Sequence, residues 1–252
     1  MTTNGAPPRT YTTSITHTPE QVRAAQRLRH RVFAGELGAR LPFPAPRGRE
    51  ALDVDDFDRL CDHLLVTDDV TGEVVGTYRI LPPGRSEGLY SATEFNLTAL
   101  APLRDTMVEV GRSCVHPDHR NGTVINLMWA ALARYTLLSG HRYLAGCASV
   151  PLADEGKAAT DTWRLVRQKH LAPHPWRVRP HRPWPVEHVP ASARASYAAV
   201  PPLLRGYLRL GAWVCGPPAH DPEFDVADFF VLLALDRVND RYLRHYLGGD
   251  SR

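Results

Sequence analysis

An α/β fold built on a mixed central sheet flanked by helices is what this 252-residue sequence predicts, and three stretches carry the prediction. Met107–Val115 alternates apolar and polar positions, as a half-buried strand does. Residues 124–138 then place Val124, Leu127, Met128, Ala131, Leu132, Tyr135 and Leu138 on one helical face. Residues 143–149 return to strand composition. Strand, helix and strand at this spacing form a crossover, which makes the two strands parallel neighbours.

The remaining elements follow in chain order. Residues 1–14, polar and holding Pro7 and Pro8, are expected to be a disordered tail, with a single domain over 15–252. Pro19 and Glu20 open a helix with Val22, Ala25, Leu28, Val32 and Phe33 on one face. Residues 41–50, with three prolines and Gly48, read as a loop and a mobile flap. An acidic turn at 53–58 precedes two strands, 63–67 and 73–81, joined by Asp68-Asp-Val-Thr-Gly72 as a hairpin turn. A short helix is expected over 93–97 and another over 154–170. Residues 170–202 hold eight of the 22 prolines and read as a basic, Pro-rich insertion in extended conformation. A helix at 203–210 closed by Gly211, a strand at 213–215, an apolar central strand at 227–235 and a helix at 239–247 complete the chain.

Composition narrows the class. Apolar residues make up 43% and charged residues 23%, ordinary for a globular protein, and a net charge of +3 does not point to nucleic acid. No secretory signal opens the chain, and its longest apolar run, 229–235, is too short to span a bilayer. The four cysteines show no C-x-x-C spacing, so reduced thiols in a cytoplasmic protein are expected. His116-x-x-His119 sits in a Pro-Asp turn without a helix to align its imidazoles, and no metal site is expected there.

Residues 107–120 suggest chemistry. A strand that feeds a tight turn and a helix N-terminus can hold an anionic group, because free N–H groups and the helix dipole converge there. Glu109, on that strand near the turn, is placed to accept a proton. Together these suggest group transfer on a phosphate-bearing carrier. The alternative for Glu109 is a structural carboxylate paired with Arg79 or Arg112.

Motifs elsewhere extend this reading. Arg31-Val-Phe33, Asp55-Asp-Phe-Asp58, Tyr78-Arg79, Phe95, and Glu109 with Arg112 resemble the acyl-homoserine-lactone synthases, members of the GNAT-like acyltransferase fold. Cys61-Asp-His63, Gly76-Thr-Tyr-Arg79, Glu109-Val-Gly-Arg-Ser-Cys-Val115, Leu127-Met-Trp129, Gly146-Cys-Ala-Ser149 and Leu204-Arg-Gly-Tyr-Leu-Arg-Leu-Gly-Ala212 resemble more closely the ornithine–acyl-carrier-protein N-acyltransferases, which make lyso-ornithine lipid. The resemblance runs in order over about residues 20–247.

It implies a GNAT-like fold and transfer of a fatty acyl group, plain or 3-hydroxylated, from acyl-carrier protein to an amino acid's α-amine, ornithine first. No tightly bound cofactor is expected; the donor is the carrier's phosphopantetheine thioester. Glu109 is then the general base, and amides around Ser113 and Cys114 polarise the thioester oxygen if the strand is bulged. Cys114 has a second possible role as an acyl-enzyme nucleophile, against the commoner buried, inert thiol. Arg31, Phe33, Asp55, Asp58, Arg79, Phe95, Arg112 and Ser149 are the implied substrate-binding set; an ion-pair network tying the first helix to the sheet is the alternative for its charged members. Val115, Arg120, Asn121, Gly122 and Thr123 are the implied pantetheine turn.

That turn departs from coenzyme A-binding relatives: Gly122 comes one place early and Ile125 replaces a small residue, which favours a carrier protein. Residues 163–182 carry six basic side chains, two tryptophans and no acid, a surface suited to an acidic carrier or, peripherally, an anionic membrane. Nucleic acid is not an expected partner. The competing readings are an acyl-homoserine-lactone synthase, an N-acyltransferase acting on a natural-product amine, and a non-catalytic carrier- or membrane-binding module.

Overall fold

A computed structural model of the chain describes residues 9–16, 18–41, 50–189 and 196–239. In order they form β1 (Tyr11–Thr16), α1 (Pro19–His30), β2 (Asp62–Asp68), β3 (Val74–Leu81), β4 (Phe95–Asn96), β5 (Met107–Val115), α2 (Thr123–Leu138), β6 (Tyr143–Pro151), α3 (Lys157–Lys169), β7 (Arg179–Pro180), α4 (Pro202–Arg209), β8 (Trp213–Val214), β9 (Ala219–Asp221) and β10 (Val226–Ala234). The main sheet runs β1-β2-β3-β5-β6-β10-β8, with β9 also on β10; β4 and β7 pair apart from it. Its strands are antiparallel except β5 and β6, which the α2 crossover makes parallel. The sheet is mixed, as expected.

Local chemistry explains the framework. The β2–β3 hairpin closes because the Asp68 carboxylate accepts from Val70 N and Thr71 N, while Gly72 takes a left-handed φ of 73°. Strand β10 is buried at every position, as a strand covered on both faces must be. Helix α1 packs across β3 and β5 on one face; α2 covers β2 and β3 on the other, where α3 and α4 meet β6. Past His30 the first helix widens into a π-helical turn, Arg31–Glu36, that buries Val32 and Phe33. No helix among the described residues is long and apolar enough to cross a membrane.

Several expectations change. The disordered tail does not extend to residue 14: Tyr11–Thr16 is a sheet-edge strand, register-paired with His63–Asp68. Threonine, tyrosine and isoleucine suit a half-exposed strand, and the polar threonines and Ser14 hid it. The helix expected at 93–97 is absent. A 3-10 turn at Tyr90–Thr93, the short β4 and 3-10 turns over Thr98–Thr106 stand there instead. Phe95 is pinned opposite Pro180, and the Asn96 side chain accepts from Thr98 N, so an α-helix cannot continue. Within 170–202 the chain holds a 3-10 turn at His174–Trp176 and β7. The flap (42–49) and nearly all of the terminal helix (240–247) lie outside the described residues.

Candidate active site

The site begins where β5 and β6 part. Their parallel register covers only Met107–Glu109 against Tyr143–Ala145; beyond it β5 follows β3 to Val115, and β6 follows β10 to Pro151. At the fork a side chain on Gly146 would overlap the Val110 carbonyl oxygen, so glycine is needed for the strands to touch before separating. A cavity of about 460 Å³ runs through the gap. Strand alternation puts Glu109, Cys147 and Asp228 on the α1 face of the sheet, and Tyr78, Leu144, Val231 and Leu233 on the α2 face, all lining this one space.

The strand edge here is bulged. Thr77 faces Cys114 and Arg79 faces Gly111, so Arg112 and Ser113 together oppose Tyr78, and Arg112 takes a φ of 50°. A non-glycine residue in that region is strained and needs support. Support comes from a buried ion network on the α1 face. Arg112 approaches Asp53 and Asp55, each at 3.3 Å, and its guanidinium lies 4.9 Å from the Tyr90 ring and 5.1 Å from that of Phe224. Its Nε faces Asp53 without the alignment a hydrogen bond needs. Arg79 pairs with Asp55 at 2.5 Å and Asp58 at 3.2 Å. Burial alone would raise the Asp58 carboxyl, but hydrogen bonding and charge from Arg29, then Arg79, hold it well below the carboxylate range.

Arg29, fully buried, replaces Arg31 in this network: it meets Asp53 and Asp58 at 2.8 Å each, whereas Arg31 is exposed. Arg29 lies beside Leu28 on the helix face that carries Ala25 and Val32, a phase the sequence displays. Phe33 lines the cavity. Phe95 does not; it packs against Phe230, ring centroids 5.9 Å apart, in the core.

Glu109 is 5% exposed and pairs with neither Arg79 nor Arg112. Its oxygens accept from Tyr90 N (2.7 Å), Ser91 N (2.8 Å) and Ser91 Oγ (2.6 Å), fastening the 3-10 turn over the cavity. Burial pushes its pKa up and these donors pull it down; the net direction is up. Cys114 lies on the same face but outside the cavity lining, packed under the first helix among Leu28, Val32, Phe33 and Ala39, and burial pushes its thiol up to about 12. That environment suits an inert thiol, not a nucleophile.

Ser149 reaches the cavity and donates to Asp228 at 2.6 Å. Beside them stand Glu94 and Asp221; among the described residues, these two acids and Asp228 are the group whose oxygens converge, within 4.8 Å of one another, as a cation would require. Burial and mutual repulsion raise Glu94 to about 9, and burial raises Asp228 to about 6. One Glu94 oxygen is buried without a partner.

The turn after β5 is partly self-satisfied. Arg120 grips Glu36 at 2.6 and 2.7 Å and donates through Nε to the Val115 carbonyl. Asn121 Oδ1 accepts from Thr123 N, and Gly122, at φ 88°, precedes α2.

Sequence comparison places this geometry. The acetyltransferase (GNAT) domain family matches residues 28–130. An L-ornithine N(alpha)-acyltransferase of Brucella abortus is 34% identical over 240 residues, covering 89% of this chain and 84% of that one. One of Rhodobacter capsulatus is 34% identical over 252 residues, covering 96% of each. The chain belongs to the L-ornithine N(alpha)-acyltransferase family. Among solved structures, the acyl-homoserine-lactone synthase LasI superposes with a TM-score of 0.54 at 15% identity, covering 96% of each chain. FeeM, an N-acyl amino acid synthase from uncultured soil microbes, gives 0.52 at 13%, covering 92% of this chain and 94% of its own. At such identities these two show the GNAT-like fold alone.

For a member of the L-ornithine N(alpha)-acyltransferase family, the residues that sequence reasoning passed over are Arg29, Asp53, Glu94, Asp221 and Asp228. The visible signal for Asp228 was a lone charge inside the apolar run at 227–235. Glu94 and Asp221 sit in short turns and edges, where no periodicity marks them.

Proposed function

We propose that the chain transfers a fatty acyl group, plain or 3-hydroxylated, from an acyl-carrier-protein thioester to the α-amine of ornithine, giving a lyso-ornithine lipid. The observation that carries the reading is the two-faced cavity: acidic on the α1 face, apolar on the α2 face, with Glu109 and the Arg112 bulge at the crossing. An acceptor with a cationic side chain fits the first compartment, and an acyl chain fits the second.

Asp228, Asp221 and Glu94 receive the side-chain ammonium, and Arg112 faces the acceptor carboxylate. Glu109 takes a proton from the α-ammonium, directly or through water. The free amine nitrogen attacks the thioester carbon while the Ser113 and Cys114 amides hold the oxygen. The carbon–nitrogen bond forms, the carbon–sulfur bond breaks, and the pantetheine thiolate leaves to be protonated. No oxidation state changes. The pantetheine lies along Val115 and the 120–123 turn, and the carrier docks on the basic surface over 163–182. Such an enzyme works in the cytoplasm and hands an amphiphilic product to the membrane, which it meets peripherally.

The test is mass spectrometry of the purified protein with acyl-carrier thioesters and a mixture of amino acids. N-acyl-ornithine is the expected product. Transfer to another amine, or from no carrier thioester at all, overturns the reading.

A further inference from the structure

The Gly146-Cys-Ala-Ser149 motif sets Cys147 in the cavity wall, and the reaction proposed above gives its thiol no task. The thiol is nonetheless part of a chain. Cys147 Sγ donates to Ser91 Oγ at 3.4 Å, and Ser91 Oγ donates to Glu109 at 2.6 Å. On its other side Cys147 interacts with the Glu94 carboxyl, which in turn interacts with Asp228. One oxygen of that carboxyl is buried and open as an acceptor. Glu94 and Asp221 also line a second, smaller cavity of about 300 Å³, whose rim includes the exposed His181, Arg182 and Glu223. The chain thus begins at the buried Glu109 and ends where water can reach.

The stoichiometry of the reaction demands an exit of this kind. An α-ammonium nitrogen carries three protons, and the amide nitrogen it becomes carries one. The departing thiolate takes up one of the two released; the other has to leave the site. Glu109, 5% exposed under the Tyr90–Ser91 turn, is poorly placed to give it straight to bulk water. We infer that Ser91 and Cys147 relay that proton from Glu109 to Glu94, which releases it into the second cavity. The inference rests on the acyl-transfer reading above, with Glu109 as the base. Hydroxyl and thiol hydrogens rotate, so each group can donate in either direction. In the hop, Glu109 protonates Ser91 Oγ as the Ser91 proton passes to Cys147 Sγ and the thiol proton passes to Glu94. Each member ends with the protons it began with, and no thiolate forms, in keeping with burial that holds the thiol well above its ordinary range. Glu94, raised to about 9, already carries a proton at neutral pH, so it gives one to water as it accepts another. Cys147 touches none of the reacting atoms and acts through Glu109.

The experiment times a single turnover of acyl transfer from a carrier thioester to ornithine, in H₂O and in D₂O. Cys147→Ala should slow it by at least about tenfold, since proton transfer along a positioned chain is lost. Its solvent isotope effect should exceed that of the wild type, and KM for ornithine should stay unchanged. Cys147→Ser, which keeps a rotatable donor and acceptor, should restore both rate and isotope effect. Ser91→Ala cuts the same chain, keeps the Ser91 N bond to Glu109, and guards against a Cys147 variant that folds poorly. The double variant should be no slower than the slower single one, because a chain is broken only once. Wild-type rate and isotope effect in Cys147→Ala overturn the inference while leaving ornithine acylation intact. A Cys147→Ser as slow as Cys147→Ala, or losses that multiply in the double variant, also overturn it. No N-acyl-ornithine from the wild type overturns the transfer reading and this one with it.

Discussion

Ser149 donates its hydroxyl to Asp228 across 2.6 Å, and Asp228 is 4% exposed with two further acids for neighbours. A carboxylate so placed is costly to the fold unless a cation joins it. Burial raises Asp228 from its ordinary 3.8 to about 6, so the folded protein binds that proton more tightly than the unfolded chain. Its favourable contribution is complete below pH 4 and is lost as pH rises to 6. Asp228→Asn should therefore stabilise the protein above pH 6, by up to about 3 kcal/mol, and not below pH 4. It should at the same time raise KM for ornithine by about a hundredfold. Thermal unfolding across pH and acceptor kinetics check the two halves.

The same cluster sets a pH dependence of acceptor binding. As Asp228 loses its proton near pH 6, the compartment becomes able to hold an ammonium. KM for ornithine, measured at saturating acyl carrier, should fall as pH rises from 5 to 7. In Asp228→Asn that fall should vanish; a fall of the same size in the variant would assign it to another group.

Glu109 holds the Tyr90–Ser91 turn, and in the proposed reaction it also takes a proton. Glu109→Gln keeps the shape but brings an NH₂ against donors that need acceptors. Stability should drop by about 1–3 kcal/mol. If Glu109 is the base, kcat should fall by about 10²–10⁴-fold. A kcat within a factor of a few of wild type, in protein shown to be folded, would leave only the structural duty.

Arg29 is the keystone of the ion network. Arg29→Met should cost about 3–5 kcal/mol in urea unfolding, because Asp53 and Asp58 lose their buried partner. Arg31→Met, at an exposed position, should change stability by less than about 0.5 kcal/mol.

Gly146 sets the fork of the sheet. Gly146→Ala drives a methyl into the Val110 carbonyl, which the β3 pairing holds in place. A loss of about 1–3 kcal/mol is expected, and acyl transfer should fall for every chain length, since the gap itself is displaced. Transfer kept at wild-type rates would mean the chain does not pass there.

The contrast between Arg29 and Arg31 shows where sequence was readable. Periodicity located β2, β3, β5, α2, β6 and β10 because each buries a face, and burial writes itself into residue spacing. The motif order also pointed to the family. An arginine on a buried face carries no such mark: Arg29 shares the phase of Leu28 and Val32, yet charge alone suggests solvent. Asp228 was hidden by the apolar company that makes its burial costly. β1 was hidden by threonines that suit an edge strand and a tail equally. Contacts between distant segments, such as Glu94 with Asp228 or Tyr78 with Tyr207, exist only once the sheet is assembled.

The fork between β5 and β6 has a consequence for turnover. If the amine arrives on one face and the chain lies on the other, bond formation joins them through the opening. The product is then a thread with its charged head on one side of a wall and its tail on the other. It cannot leave by the way both halves came in; one end must be drawn back through the gap. Making the bond and letting go of it become separate tasks for the enzyme, and the second grows harder with every carbon of tail.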